Sequence, residues 1–581
     1  MSALASLVHA YDRMAERGEV PPYGYSQEKI GFLIPLNPDG TVANEPIDLR
    51  QDEGKRKTAR LMPVPASFKR PGVTPKPFFL WDNTAFALGV TATEGKDAES
   101  RLKAFRDRHL HDLADTEDEG LKAVIKFIER WTPKQFSERT WPDEMKDQNV
   151  VFALESDRLA RTMIHDRPAA RELWARLFAA ENRKQVICLI TGERSGLARV
   201  HPTIKGVSKD ADSIVSFNKA SFESYGQSQG ENAPMSDYAA FRYVAALNHL
   251  LERNSGHRIQ IGDSSTVFWA DSPNAQAALE AESLFLGFVD EKATAAFETK
   301  TENLLAKLRA DRPIEDFKID LPQGVRFFVL ALAPNASRLS LRFYVEDDFG
   351  VLAERYLRHL HRMRIDPPPK EEAPSMWRML IQTAVGGKSE NIQPNLAGEW
   401  MRAILTDTPY PLTLLAALIM RLRMNHEVSA LRVAILKSIL IKNFNMEVPV
   451  SLDPECKEPG YLLGRLFAVY EQIHMAALGR IVNAPVKDKF YGAASAQPRK
   501  IFRMLEAGSA NHLSKIGRQR PGLRVFFEKA VGAIMEAMSP ASDPFPVRLP
   551  DKSQALFGLG YYHQRSELFK KSDKSASEEA V

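Results

Sequence analysis

Residues 366–374 read DPPPKEEAP, and no regular element can run through them. Each proline lacks an amide hydrogen and fixes its own φ, so three in succession end a helix or a sheet ladder. The charged remainder favours an extended, solvated spacer. The chain changes character across this point. Before it, short alternating apolar segments are separated by turn residues; after it come long runs with helical periodicity. The sequence therefore predicts an α+β fold. A mixed α/β region spans residues 1–365, with room for two subdomains, and a proline-rich linker covers 366–374. An all-α helical bundle follows over 375–571. From Ser572 the residues are small and charged, which predicts a disordered tail over 572–581.

Within the first region, Leu4, Leu7, Val8, Tyr11 and Met14 recur at helical spacing, and Gly18 marks a stop. Ile30, Phe32 and Ile34 alternate ahead of Asn37-Pro38-Asp39-Gly40, a turn signal. Residues 101–130 read as charged helix, 186–191 as a short apolar strand, and Ser236 as the cap of a helix bearing Phe241, Val244, Leu247 and Leu251. Residues 325–332 and 339–345 read as paired strands. On the second, alternation puts Leu339, Leu341, Phe343 and Val345 on one face and Arg338, Ser340, Arg342 and Tyr344 on the other. Past the prolines, LTLLAALIMRLRM, ALRVAILKSILIKNF and YLLGRLFAVYEQIHMAALG are helical by length and pattern.

Several function classes are disfavoured. The two cysteines, Cys188 and Cys456, lie far apart, so neither a disulfide framework nor a cysteine-based zinc site is expected. Asp12 and Arg13 sit where a signal peptide needs an apolar run. The longest apolar stretch, 412–420, is about half of a bilayer span. A cytoplasmic protein without membrane contact is expected. His111-Asp112 and His165-Asp166 lack the further histidine and aspartate that an HD phosphohydrolase requires. Gly386-Gly387-Lys388-Ser389 ends like a phosphate loop, but Gln382 holds the first glycine position and helix precedes it. No catalytic residue, metal or cofactor is predicted.

Features suited to nucleic acid are better represented, although a net charge of +4 is too mild to argue by itself. Lys55, Arg56, Lys57, Arg60, Lys69 and Arg70 precede the aromatic segment FFLWDN, whose Asn83 can either read a base edge or cap the following turn. A second cluster includes Arg499, Lys500, Arg503, Lys515, Arg518, Arg520 and Arg524 and suits a polyanion surface. Residues 215–243, VSFNKASFESYGQSQGENAPMSDYAAFRY, gather Asn218, Lys219, Ser224, Tyr225, Gln227, Gln229 and Asn232 around two glycines. Groups that hydrogen-bond without titrating suit recognition, though such a loop can also be a plain connection.

Longer strings carry more. PPYGYS, IGFLIPL, VPASFKRPGVTPKPFFLWDNTAFALG, VICLITGERSGLARVHPTIKGV, FVLALAPNASRLSLRFY, GGKSENIQPNLAGEWMRAILTDTPYPLTLL and QALFGLGYYHQRSELF occur in this order. Together they resemble the large subunit of the type I-C CRISPR surveillance complex, Cascade, over nearly the whole chain. FNKASFESYG departs from the proline-containing version expected there. The resemblance implies a non-enzymatic subunit near the 5′ handle of the CRISPR RNA, beside backbone and handle-capping subunits. It implies recognition of the protospacer-adjacent motif (PAM) on duplex DNA, help in opening the duplex, support of the displaced strand in the R-loop, and a platform for a recruited helicase-nuclease. In that setting Lys55, Arg56, Lys57, Arg60, Lys69, Arg70, Asn83, Asn218, Lys219, Gln227 and Asn232 are candidates for the PAM duplex. The resemblance further implies that the helical module is like a Cascade small subunit and can be made separately from an internal start. Met446 is the candidate start and Met424 its rival. The alternatives are a pure protein scaffold and an HD-type nuclease.

Overall fold

The computed structural model describes the chain except residues 1, 54–55, 69, 71–73, 94–96, 180–183, 209–212, 218, 262–263, 290–320, 336–337, 371–373, 394, 426, 480–484, 540–542 and 579–581. The architecture is α+β. It divides into two compact units, Met1–Lys205 with Ala211–His249, and Gly206–Asp210 with Leu250–Val581. The division therefore falls near residue 250, inside the region read from sequence as 1–365.

The first unit is organised by a sheet buried on both faces. Its strands are β2 (Phe32–Leu36), β3 (Ile47–Asp48), β7 (Trp81–Asn83) and β8 (Asn149–Leu154), in the order β3-β2-β8-β7. β2 and β8 run parallel, pairing Phe32 with Val150 and Ile34 with Phe152. Side chains alternate across the sheet. Phe32, Ile34, Leu36, Val150 and Phe152 join the core formed with the Glu119–Arg130 helix, through Leu121, Val124, Phe127 and Ile128. Leu33, Val151 and Ala153 face the other way, onto Ile30, Met62, Val64 and Trp81. Ile30 belongs to β1 (Tyr25–Ile30), and Met62 and Val64 to β6 (Arg60–Pro65); these two strands form an antiparallel ribbon. After β2 the chain turns at Gly40, with φ +82°, and a side chain there would meet Lys126 at 2.4 Å. Only glycine satisfies both demands. Further strands are β4 (Gln51–Glu53), paired with β5 (Arg56–Thr58), and β9 (Gln185–Ile187), paired with β10 (Arg194–Gly196). The apolar segment 186–191 thus gives only a short strand; its Ile187 and Leu189 are exposed and only Cys188 between them is buried.

The second unit opens with an antiparallel sheet of β11 (Arg258–Ile261), β12 (Ser264–Asp271), β13 (Arg326–Asn335) and β14 (Arg338–Asp348). The predicted hairpin is β13–β14, with one correction. A bulge between Ala331 and Leu332 pairs Ala331 with Phe343 but Leu332 with Leu341. The extra residue reverses the alternation. Phe343 and Val345 keep company with Phe327, Val329 and Ala331 in the helix-covered core, whereas Leu341 is turned away and 44 % exposed.

That core continues without a break from the sheet into the helices, from Ile259 to Tyr561. The start of the proline-rich segment is tied to this unit. The Asp366 amide donates to the Val450 carbonyl (2.8 Å), the Tyr562 hydroxyl donates to the Pro367 carbonyl (2.7 Å), and Lys570 pairs with Asp366 at 3.0 Å. The last helix runs Asp551–Glu578.

The centre of the second unit is the pairing of the Pro459–Leu478 helix with Asp551–Glu578. A Cβ added at Gly460 or Gly464 would lie 2.2 or 2.1 Å from the carbonyl oxygens of Ser553 and Phe557; one at Gly560 would lie 2.1 Å from that of Tyr461. The two backbones touch at three glycines. Polar pairs complete the seam: Tyr561 donates to Glu471 (2.6 Å), Arg465 Nε to Gln564 (3.0 Å), and the Tyr461 hydroxyl bonds His563 Nδ1 (2.9 Å). Gly464→Ala should therefore destabilise the protein by about 1–3 kcal/mol, because backbone cannot yield as a side chain can; a shift in the urea midpoint measures it.

Four histidines are held neutral. Burial pushes His109 and His359 down to about 3, and His201 and His563 down to about 4. His109 Nδ1 donates to the Phe105 carbonyl (2.7 Å) while Nε2 accepts from the Leu80 amide (2.8 Å), a pattern closed to the protonated ring. These rings bind fewer protons folded than unfolded, where their value is ~6.5. Their stabilising effect is complete above that pH and is lost as pH falls toward 4. Unfolding free energy measured from pH 7 to pH 5 should decline steadily.

Candidate nucleic-acid interface

The loop at 215–243 is a built structure. Ser224 and Gln227 bridge in antiparallel fashion, and the Gln227 amide donates to the Ser224 carbonyl at 3.0 Å. Between them Tyr225 (φ +53°) and Gly226 (φ +69°) form a two-residue turn in the left-handed region. Asn232 staples it: Oδ1 accepts from the Ser224 amide (2.9 Å), and Nδ2 donates to the carbonyls of Gln227 and Gln229 (3.0 Å each). Behind the staple, Ser228 and Glu231 form a capping box, and Glu231 pairs with Lys184 at 2.7 Å. The Lys184 hydrogen bond lowers the Glu231 pKa. Gly230 is pressed onto the Ala198 carbonyl, where a side chain would approach to 2.2 Å.

This sorts the candidates of the loop. Asn232, a candidate DNA contact, uses its carboxamide to hold the turn. Gln227 contributes only its backbone to the turn, and its side chain is exposed, as is that of Lys219. Asn218 lies outside the described residues. The feature missed in the sequence is Tyr225, whose side chain is 100 % exposed at the tip. A Tyr-Gly pair is not a standard signal for such a turn, so the pattern gave no warning.

The first basic cluster separates in the same way. Arg70 is clamped inside the fold. Its guanidinium pairs with the fully buried Asp82 and lies 3.7 Å from the Phe78 ring centroid and 4.1 Å from that of Phe86. Burial raises the Asp82 pKa, and Arg70 with the Phe78 amide (2.8 Å) opposes that rise. Asn83 is the cap of the short Thr84–Ala87 helix, with Oδ1 accepting from the Ala85 amide (3.1 Å) and the Phe86 amide (3.4 Å). Both residues were candidate DNA contacts, and both are structural. Lys57 is exposed but reaches Asp48 at 3.0 Å, and Asp48 also binds Arg50 at 2.8 Å. The Arg50 hydrogen bond is the chief reason the Asp48 pKa is lowered. Arg60 stands exposed on β6. Lys55 and Lys69 lie outside the described residues, and of Arg56 only the backbone, in β5, is described.

The second cluster converges. Most of it lies on the Pro498–Gln519 helix. At 3.6 residues per turn, Lys500, Arg503, Ala507, Asn511, Ser514, Lys515 and Arg518 fall within about 60° of one line along the helix. All are exposed. Two cationic pairs thus stand about 22 Å apart, separated by Ala507, Asn511 and Ser514 together with the exposed Met504. Glu506 lies roughly 120° away from the line. Arg520 is exposed just past the helix end. Arg499 and Arg524 are engaged with Asp543 and Glu528 respectively. Tyr491 and Phe502 are buried in the core.

The sites set aside in the sequence have ordinary settings. His165 is buried, with Nε2 3.2 Å from the Pro63 carbonyl, and burial lowers its pKa. His111 stands exposed on the Ala98–Asp112 helix. The Gly386-Gly387-Lys388-Ser389 segment forms short turns after the Met376–Ile381 helix, not the strand, loop and helix of a phosphate loop. Among the described residues, no group of three His, Cys, Asp or Glu side chains could hold a metal ion, and no helix is long and apolar enough to cross a membrane.

Comparison with curated proteins finds no match. A family model described as CRISPR-associated protein (Cas_Csd1) matches residues 7–569. That span takes in both compact units, the stapled loop and the basic helix. The chain accordingly belongs to the CRISPR-associated Cas_Csd1 family, the large subunits of type I-C Cascade.

Proposed function

We propose that this chain is a non-catalytic DNA-recognition subunit of its complex. The stapled loop meets the PAM duplex through Lys219 and Gln227, with Arg60 a further candidate in the same unit, and the Pro498–Gln519 helix carries displaced single-stranded DNA in the R-loop. Guide RNA near its 5′ handle, the neighbouring Cascade subunits and a recruited helicase-nuclease are its partners in this reading. The observation that carries it is the acid-free face of Lys500, Arg503, Lys515 and Arg518, an arrangement that tracks phosphates.

A scaffold role is favoured by one observation: Arg70, Asn83 and Asn232, all candidate DNA contacts, are spent inside the fold. Salt dependence separates the readings. Replacing Lys500, Arg503, Lys515 and Arg518 by Ala should weaken single-strand binding and flatten its log–log salt slope by about 0.7 for each phosphate no longer neutralised. Arg499→Ala, which removes a side chain already paired with Asp543, should change the slope far less. An unchanged slope in the fourfold variant favours the scaffold. Arg70→Ala should instead cost about 3 kcal/mol of stability, since it strands a buried carboxylate; a binding loss without a stability loss would restore Arg70 as a DNA contact.

Met446 follows Asn445, which ends the Ala430–Phe444 helix at φ +50°, and it is partly buried against the core. A product begun there would keep the basic helix and the glycine seam. It would lose the Leu412–Asn425 and Ala430–Phe444 helices, whose Leu422 and Leu436 pack near Gly558. Changing the Met446 codon should abolish a short C-terminal product, and survival of that product points to Met424.

A further inference from the structure

No other large apolar or aromatic side chain among the described residues is as exposed as Tyr225. Its backbone is also in the left-handed region, where a bulky residue is a genuine outlier and glycine or asparagine is the usual occupant. In the isolated fold the ring gains no burial to offset that strain. The turn is nevertheless held rigidly by the three hydrogen bonds of Asn232 and by the capping box behind it. Strain kept in place by a dedicated support, under a side chain with nothing to touch, marks a group presented to a ligand.

The surroundings define that ligand. On either side of the tip stand Ser224, Gln227 and Ser228, all exposed, and the half-buried Gln229, with Lys219 a few residues upstream. A tyrosine that anchors a protein interface sits in a collar of contacts that excludes water, and the residues beside this one are hydroxyls and carboxamides, with the exposed Glu223 and half-buried Phe222 before Ser224. A flat partner with apolar faces and a hydrogen-bonding rim fits better, and a nucleobase has that form. Inside an intact duplex both faces of every base are already stacked, so the ring finds a partner only where a base has lost its neighbour. We propose that Tyr225 stacks on a nucleobase freed by local opening of the DNA duplex, with the neighbouring amides reaching its edge. This rests on the reading of the loop as a DNA-facing element. It adds that the tip acts after capture, by stabilising the opened state.

The test uses the full-length chain assembled with guide RNA and its partner subunits, on PAM-bearing duplexes carrying 2-aminopurine at successive positions beside the PAM. Wild type and Tyr225→Phe should quench the fluorescence at one position. Tyr225→Ala should lose the quench and bind the duplex roughly tenfold more weakly, the loss expected for one stacked base. Tyr225→Gly, which relieves the strain, should keep or raise the unfolding midpoint and still lose the quench. If Tyr225→Ala keeps both quench and affinity while the Lys219→Ala/Gln227→Ala double variant binds weakly, the stacking role is overturned and the DNA-facing reading survives. If all these variants bind as wild type, the reading of the loop falls and the stacking role with it. If Tyr225→Ala blocks assembly before DNA is added, the tip serves a protein partner and the inference is wrong.

Discussion

In the second unit two helix backbones meet directly, at Gly460, Gly464 and Gly560. Removing side chains there lets Pro459–Leu478 and Asp551–Glu578 meet along their length, with dispersion contacts between main chains in place of interdigitated side chains. The neighbouring helices are arranged around this pair. Gly558 receives Leu422 and the Tyr491 hydroxyl, and Gly492 lies on the Arg423 carbonyl. The basic helix Pro498–Gln519 rests on the same core through Ile501, Phe502 and Leu505. The outward direction of its cations is thus fixed by which residues it must bury.

Several cations elsewhere are consumed by the fold. Asp407, at φ +52°, gathers Arg358 (2.9 Å), Arg362 (3.4 Å) and Lys442. Burial, aided by the neighbouring arginines, lowers Lys442 to about 8. Arg70 is held between two phenylalanine rings. Such residues contribute to the modest positive charge of the chain without contributing to its outward field. On the 498–519 face, by contrast, Lys500, Arg503, Lys515 and Arg518 are exposed and aligned on one side of a single helix.

Much of the architecture was legible because it depends on local period. The cap at Ser236 and the helical run within Pro459–Leu478 each became the expected element. The alternation of Ile30, Phe32 and Ile34 is split, because Ile30 ends β1 and packs with Leu33 while Phe32 and Ile34 lie in β2 and face the other core. What failed depends on distant partners. The prolines announce a break in secondary structure, which is a local property. They say nothing about whether Asp366 will meet Val450 and Lys570, which is what ties the start of the segment to the second unit. The bulge before Leu332 cannot be read from β14 alone, because it is a property of the pairing. Arg70 and Lys500 look alike in a sequence, and only the presence of Asp82 separates a structural cation from an available one. The same holds for Asn232 and Gln227.

The glycine seam has a genetic consequence. All three of its glycines, and every polar pair across it, lie downstream of Met446. If translation begins at both sites, a single codon change at Gly464 alters two polypeptides that occupy the same assembly. The helix pair is then under double constraint, while residues upstream answer to one product only.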